Sequence, residues 1–244
     1  MKIDIGAACR EALGIWRRDR DMIVAVSGVF FFLPNFALAL FLSRGDDLAA
    51  AQPGDQQAMV DALQAYLVGN AHWLVLQAVA ELVGIATLLA LVLDPARPSV
   101  REALLAAFRR LPLLIVAMLL IYAAKLAGLL LFVLPLLYVI GRVFVVLPVL
   151  IAEPQRRFGD AMQHAITLTA GQVVPLLALS GLLYFGAQLV VLLLSGTAGA
   201  ISSGGGNPVT LAMLSAAVAA VGAAMSVAFT LVRATVYRRL SSKG

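Results

Sequence analysis

Between Leu111 and Ala152 the chain runs for 42 residues with only two charged side chains, Lys125 and Arg142. A bilayer hydrocarbon core of about 30 Å is crossed by about 20 apolar residues rising 1.5 Å each. A single helix over this run would measure about 63 Å, twice the core, so the run holds two spans. Proline ends or kinks a helix and glycine eases a turn, which places the bend between Gly128 and Pro135. The same length criterion predicts six spans in all, at about 22–43, 71–93, 111–130, 132–152, 173–195 and 208–232. Glu81 is the one interruption of the second.

Composition leads to the same class. Hydrophobic residues make up 62% of the chain and charged residues 13%, against about 45–50% and about 25% in soluble domains. Such a chain cannot cover its surface with polar groups, which excludes a soluble enzyme, a disordered protein and a secreted disulfide scaffold. The single cysteine, Cys9, permits no intrachain disulfide and no cysteine-based zinc site. The predicted fold is an all-α integral membrane protein, one polytopic domain over residues 1–244.

Lysine and arginine placement sets the expected topology. Lys2, Arg10, Arg17, Arg18 and Arg20 precede span one; Arg97, Arg101, Arg109 and Arg110 follow span two. Arg156 and Arg157 follow span four, and Arg238, Arg239 and Lys243 follow span six. The loop after span one has Arg44 against Asp46, Asp47, Asp55 and Asp61, and the loop after span five has no charge. Six spans put every basic segment on one side, which predicts that both termini are cytoplasmic. The segment before span one is too long and too mixed in charge for a signal peptide, so that span is expected to be permanent.

Each basic cytoplasmic segment also reads as a short amphipathic helix. Residues 4–18 form the first, with Ile5, Cys9, Ala12, Leu13 and Trp16 on one face. In the second, Val100, Ala103, Leu104, Ala107, Phe108 and Leu111 share a face, behind a capping box of Ser99 and Glu102. In the third, Phe158, Ala161, Met162, Ala165, Ile166 and Thr169 repeat the spacing. Arg10-Glu11-Ala12-Leu13, Arg101-Glu102-Ala103-Leu104 and Gly159-Asp160-Ala161-Met162 align, and each precedes two spans. The chain therefore reads as three copies of an interfacial helix plus a hairpin, a pattern shared by transport folds and passive bundles. On the outer side, 55–67 is amphipathic through Met59, Val60, Leu63, Tyr66 and Leu67.

The stretch YVIGRVFVVLPVLIAEPQRRFGDAMQHAITLTAGQ, from Tyr138 to Gln172, carries Tyr138, Arg142, Pro148, Glu153, Ala161, Leu168, Thr169 and Gly171. This pattern resembles the bacterial six-span membrane domain of glycerophosphoryl diester phosphodiesterases and the related YciC-like inner-membrane proteins. The family's serine-tryptophan pair before Leu-Thr is absent, with Ala165 and Ile166 nearby instead; the ending ATVYRRL fits. The resemblance implies the six-span fold and a place in a bacterial inner membrane. It does not carry over the phosphodiesterase activity, which belongs to a soluble domain.

Three ionisable groups fall within the predicted spans: Glu81, Lys125 and Arg142. Each costs about 2.5–3.5 kcal/mol at mid-bilayer on insertion scales unless paired or hydrated. Lys125 can snorkel along its stem. Depth along the spans matches Glu81 with Arg142, either as a structural clasp or as the polar part of a headgroup or ion cavity. Arg142 is the phosphate-binding candidate, because its planar fork suits phosphate. Gln77 and Gln188 read as interhelical hydrogen-bonders, and Ser215, Ala219 and Ala223 as a close-packing face of span six.

No metal site is expected, since His72 and His164 lie a bilayer apart. The glycine run Gly204 to Gly206 lacks the Lys-Ser/Thr of a phosphate loop. No Gly-x-Ser-x-Gly elbow or carboxylate cluster occurs, so neither catalysis nor a cofactor is expected. The positive-inside rule already accounts for the basic arms, so no nucleic-acid partner is expected. The reading that remains is a non-catalytic protein handling or sensing membrane phospholipids or supporting envelope integrity. The alternatives are a scaffold for a membrane or periplasmic protein partner and, behind that, a small-solute transporter.

Overall fold

The computed structural model describes residues 4–41, 56–131, 133–203 and 207–242, all helices and short connections with no strand among them. Arg44, Asp46, Asp47, Asp55, Gly204 to Gly206, Lys2 and Lys243 lie outside these residues. Six helices are long and apolar enough to cross a membrane. This is a multi-pass membrane protein.

Helix α1 (Ile5–Ser27) starts at Asp4, whose Oδ1 accepts the Ala7 N–H at 2.9 Å. That bond holds the Asp4 carboxyl below its ordinary range. The helix kinks at Asp19, where φ is −114° and ψ is 23°. The first predicted interfacial helix and span one are therefore two arms of one bent rod. Beyond it, Gly28–Phe32 forms a π-helical turn that leads into α2 (Leu33–Phe41). Pro34 explains the turn, because it has no N–H to offer the carbonyl four residues back and its ring crowds that carbonyl. The ladder widens by one residue, so the Leu33 N–H reaches Gly28 O. The Asn35 side chain donates to Phe31 O at 2.7 Å, and Gln77 donates to Asn35 Oδ1 at 3.1 Å, the interhelical role expected of Gln77.

Helix α3 (Gln56–Leu93) absorbs the predicted outer amphipathic segment into span two as one rod of 38 residues. Its Gly84 lies against the π turn, where a Cβ would stand 2.7 Å from Phe30 Cβ and 2.7 Å from Phe31 Cε1. Glycine there lets Phe31 seat fully buried in the core. The predicted capping box opens α4 (Val100–Leu131): the Ser99 N–H reaches Glu102 Oε2 at 2.8 Å. Here too the separate interfacial helix is corrected, because α4 runs on through Pro112 into span three. A proline inside a helix removes one ladder bond and need not stop the rod.

The predicted bend falls between α4 and α5 (Val133–Arg142). A Cβ on Gly128 would stand 2.9 Å from Leu136 Cα, so glycine is what lets the hairpin arms touch. Span four is broken at 143–145 and resumes as α6 (Val146–Ala152), buried from Val146 to Leu150. Helix α7 (Phe158–Leu168) is the one predicted interfacial helix that stands alone. Gly171, at φ +73°, turns the chain into α8 (Val173–Ser203). Asn207 then caps α9 (Pro208–Ser241) through the Val209 N–H.

Helix α9 is the hub, packing on α1, α2, α3, α6 and α8. The three aligned alanines, Ala12, Ala103 and Ala161, are all buried. The basic segments meet at one end of the bundle. Arg239 donates to Glu11 Oε2 at 2.9 Å and Arg110 to Leu150 O at 2.6 Å, while Arg238 reaches Val92 O.

Candidate functional site: intramembrane charges and an apolar groove

The chain brings its intramembrane charges together in a different set from the expected one. Arg142 ends α5 half-buried. Its Nε donates to Tyr138 Oη at 2.8 Å, its guanidinium sits 5.1 Å from the Tyr138 ring centre, and its Nη1 donates to Ile166 O at 2.7 Å. In return Thr169, fully buried, sets its hydroxyl 3.2 Å from Arg142 O, a carbonyl beside the break in span four. Tyr138, Arg142 and Thr169 thus form a latch between α5 and the end of α7. Leu168 packs beside it against the core, and Gly171 makes the exit turn.

Glu153, at the end of α6, is a second junction. Its Oε1 accepts the Tyr237 hydroxyl at 2.8 Å and lies 3.3 Å from His164 Nε2, and its Oε2 meets Arg156. Pro148 is buried inside α6 between the two junctions. The pattern residues of 138–172 therefore hold α6 and α7 in place.

Glu81 and Arg142 share no ion pair. Helix α5 packs on α4 and α8, whereas α3 packs on α4, α6 and α9. Equal depth did not mean adjacent faces. Glu81 turns instead toward α9, where its Oε1 accepts the Ser226 hydroxyl at 2.9 Å. Arg233, seven residues on from Ser226 along α9, was missed because span six was closed one residue short of it, at Val232. A signal was available, since Ser226, Phe229 and Arg233 recur at i, i+3 and i+7 on one stripe.

The Arg233 guanidinium lies 5.6 Å from the Phe144 ring centre and 5.7 Å from that of Phe229. Phe144 reaches this position because the break at 143–145 turns it into the core, 4% exposed. The Nε of Arg233 is buried without a hydrogen-bond partner, and no other buried side-chain nitrogen or oxygen among the described residues is in that state. Lys125 interacts electrostatically with Arg233 and rests its Nζ 5.5 Å from the Tyr122 ring centre on its own helix. Of the three predicted groups, Glu81 and Lys125 belong to this cluster and Arg142 does not.

A groove of about 590 Å³ lies on another face of α9. Cys9, Leu13 and Trp16 wall it from one arm of α1 and Val24, Ser27 and Gly28 from the other. Phe32, Leu183 of α8, and a strip of α9 from Ala220 to Val232 complete it. Ala223, Ala224 and their neighbours keep the α9 wall thin, and a Cβ on Gly28 would meet nothing within 4 Å. Leu13 and Val24, both about half exposed, open the groove to the outside of the bundle. Arg17, Arg18 and Arg20 lie on the bend between Trp16 and Val24, with Arg18 paired to Asp19 at 2.7 Å and Arg20 to Asp21 at 3.4 Å. No cluster of three metal-ligating side chains occurs among the described residues.

Fold and site together define an all-α, multi-pass membrane protein with a buried polar cluster and an apolar lateral groove. Comparison of the chain with protein-family models, with curated proteins and with solved structures finds no match.

The latch has a measurable consequence. Arg142→Gln is expected to remove a charge-assisted bond to Ile166 O and cost about 1.5–3 kcal/mol. Hydrogen exchange should rise over 158–172 in that variant. Unchanged exchange there would mean that the Arg142 bonds do not hold α7.

Proposed function

We propose that this chain is a non-catalytic protein of the bacterial inner membrane that binds phospholipid, with its basic end and both termini in the cytoplasm. The observation that carries the reading is the lateral groove. Its volume falls in the range of about 300–1,000 Å³ typical of small-molecule sites, and its walls are almost wholly apolar. It lies along helices of membrane-crossing length, so the occupant that reaches it by lateral diffusion is an acyl chain. On the adjoining bend Arg18 and Arg20 are paired with Asp19 and Asp21, which leaves the charge of Arg17 in excess to favour an anionic headgroup at the same end. The kink at Asp19 matters functionally in this reading, because it brings both arms of α1 to the groove. The resemblance of 138–172 to a six-span membrane domain family accords with it.

The test is native mass spectrometry of protein released from its own membranes in neutral detergent. Wild type is expected to retain one phospholipid. The double variant Gly28→Leu, Ala224→Leu places side chains in the groove and is expected to lose that lipid at an unchanged thermal midpoint. A lipid-free wild type that carries a stoichiometric protein partner would instead establish the scaffold reading.

A further inference from the structure

Arg233 stands on different residues from the groove and carries an inference of its own. A cation inside a bilayer is expensive, by about 2.5–3.5 kcal/mol on insertion scales, unless something meets its charge and its N–H groups. The two phenylalanine rings attract the guanidinium through their quadrupoles but supply no lone-pair acceptor. Glu81 is the carboxylate that Arg233 senses, yet no ion pair closes between them. The reason is the hydroxyl of Ser226, which holds Glu81 seven residues from Arg233, about 10 Å along α9. The cluster therefore contains two cations, Arg233 and Lys125, against one carboxylate that is tied elsewhere. The Nε of Arg233 is sealed, while the Arg233 and Lys125 side chains are each only part buried and have no hydrogen-bonded acceptor among the described residues.

The geometry points to an intramembrane oxyanion site in which the Arg233 fork binds a phosphate group, Lys125 adds a second positive charge, and Phe144 and Phe229 position the guanidinium. The ligand chemistry is a phosphate, either as a lipid phosphomonoester headgroup or as a free anion. A guanidinium fits it because its planar N–H fork matches two phosphate oxygens. Glu81 is then the internal competitor, which lowers the site's affinity.

The experiment uses the full chain, delipidated in neutral detergent, titrated with inorganic phosphate while the thermal midpoint is followed. A parallel arm measures capture by vesicles of phosphatidylcholine with and without phosphatidic acid. Arg233→Gln is expected to weaken phosphate binding roughly ten- to a hundredfold, the loss of charge-assisted hydrogen bonds. It removes a buried charge but also the contacts with both rings, so the variant should fold about as stably as wild type. Glu81→Gln is expected to strengthen binding, and Lys125→Gln to weaken it less than Arg233→Gln does. A response to inorganic phosphate identifies a free anion as ligand; a response to phosphatidic acid alone identifies a headgroup. Equal behaviour of wild type and Arg233→Gln in both arms overturns the site. So does a wild type that binds neither ligand while Glu81→Gln unfolds, for Glu81 is then the structural counter-ion. The groove variant Gly28→Leu, Ala224→Leu should keep the phosphate response, so that either site can fail without the other.

Discussion

Phe144→Ala is expected to destabilise the bundle by about 2–3 kcal/mol. Phenylalanine deletions in soluble cores cost about 3–5 kcal/mol through lost transfer energy plus an unfilled cavity. In a bilayer the transfer part shrinks, because the displaced side chain meets hydrocarbon in either state. The cavity part remains, and Phe144 is 4% exposed among core residues that continue to Leu150. The cation–π contact with Arg233 disappears as well, worth about 0.5–2 kcal/mol by itself. Phe144→Leu should recover most of the packing and none of the ring attraction. Thermal unfolding in detergent, with Phe144→Leu placed between Phe144→Ala and wild type, separates the two contributions. Equal midpoints for all three proteins would mean that the break at 143–145 does not deliver Phe144 to the core.

Gly84→Ala is expected to cost about 1–3 kcal/mol, the usual range for overpacking. Alanine gains about 1 kcal/mol over glycine in helix propensity, so a net loss requires a real collision. The added Cβ would meet Phe30 Cβ at 2.7 Å, and a Cβ cannot swing away as a side-chain tip can. Either the π turn backs off α3 or Phe31 leaves its buried seat. Gly222→Ala on α9 is the control, since a Cβ there meets nothing within 4 Å. A stabilised Gly222→Ala beside a destabilised Gly84→Ala is the expected pair of results. If both variants are stabilised, the π turn does not press on α3.

What could be read in the sequence depended on the kind of physics involved. The span count rests on length against bilayer thickness, and Leu111 to Ala152 had to divide wherever Gly128 and Pro135 allowed. The capping box at Ser99 and Glu102 is local chemistry and was equally plain. Helix ends were harder. The second amphipathic segment and span three were read as two elements, yet they form one long rod that tolerates the ladder bond lost at Pro112. Pro34 gave no warning of the π turn, because its remedy depends on Gly84 across the interface.

Charge pairing was least legible, since depth along a helix says nothing about which neighbour it faces. Arg142 and Glu81 match in depth but project from helices that share no major packing face. Arg233 escaped notice because a charge at the edge of an apolar run reads as the end of the run. Helix α9 in fact continues to Ser241. The latch of Tyr138, Arg142 and Thr169 could be assembled only once α7 was seen to bring Ile166 and Thr169 up to the end of α5.

The pairing of α1 with α9 bears on how the protein is made. Thr235 donates to Ala8 O, and Arg239 to Glu11 and Ala7 O, contacts between residues more than 220 positions apart. Such distant partners form slowly and late. During synthesis α1 is made well before α9 and must wait, with Ala8 unpartnered, until α9 arrives. The newborn chain therefore passes through a stage in which α1 lacks its partner and is open to quality-control proteases. Closing α1 onto α9 is the step that ends it.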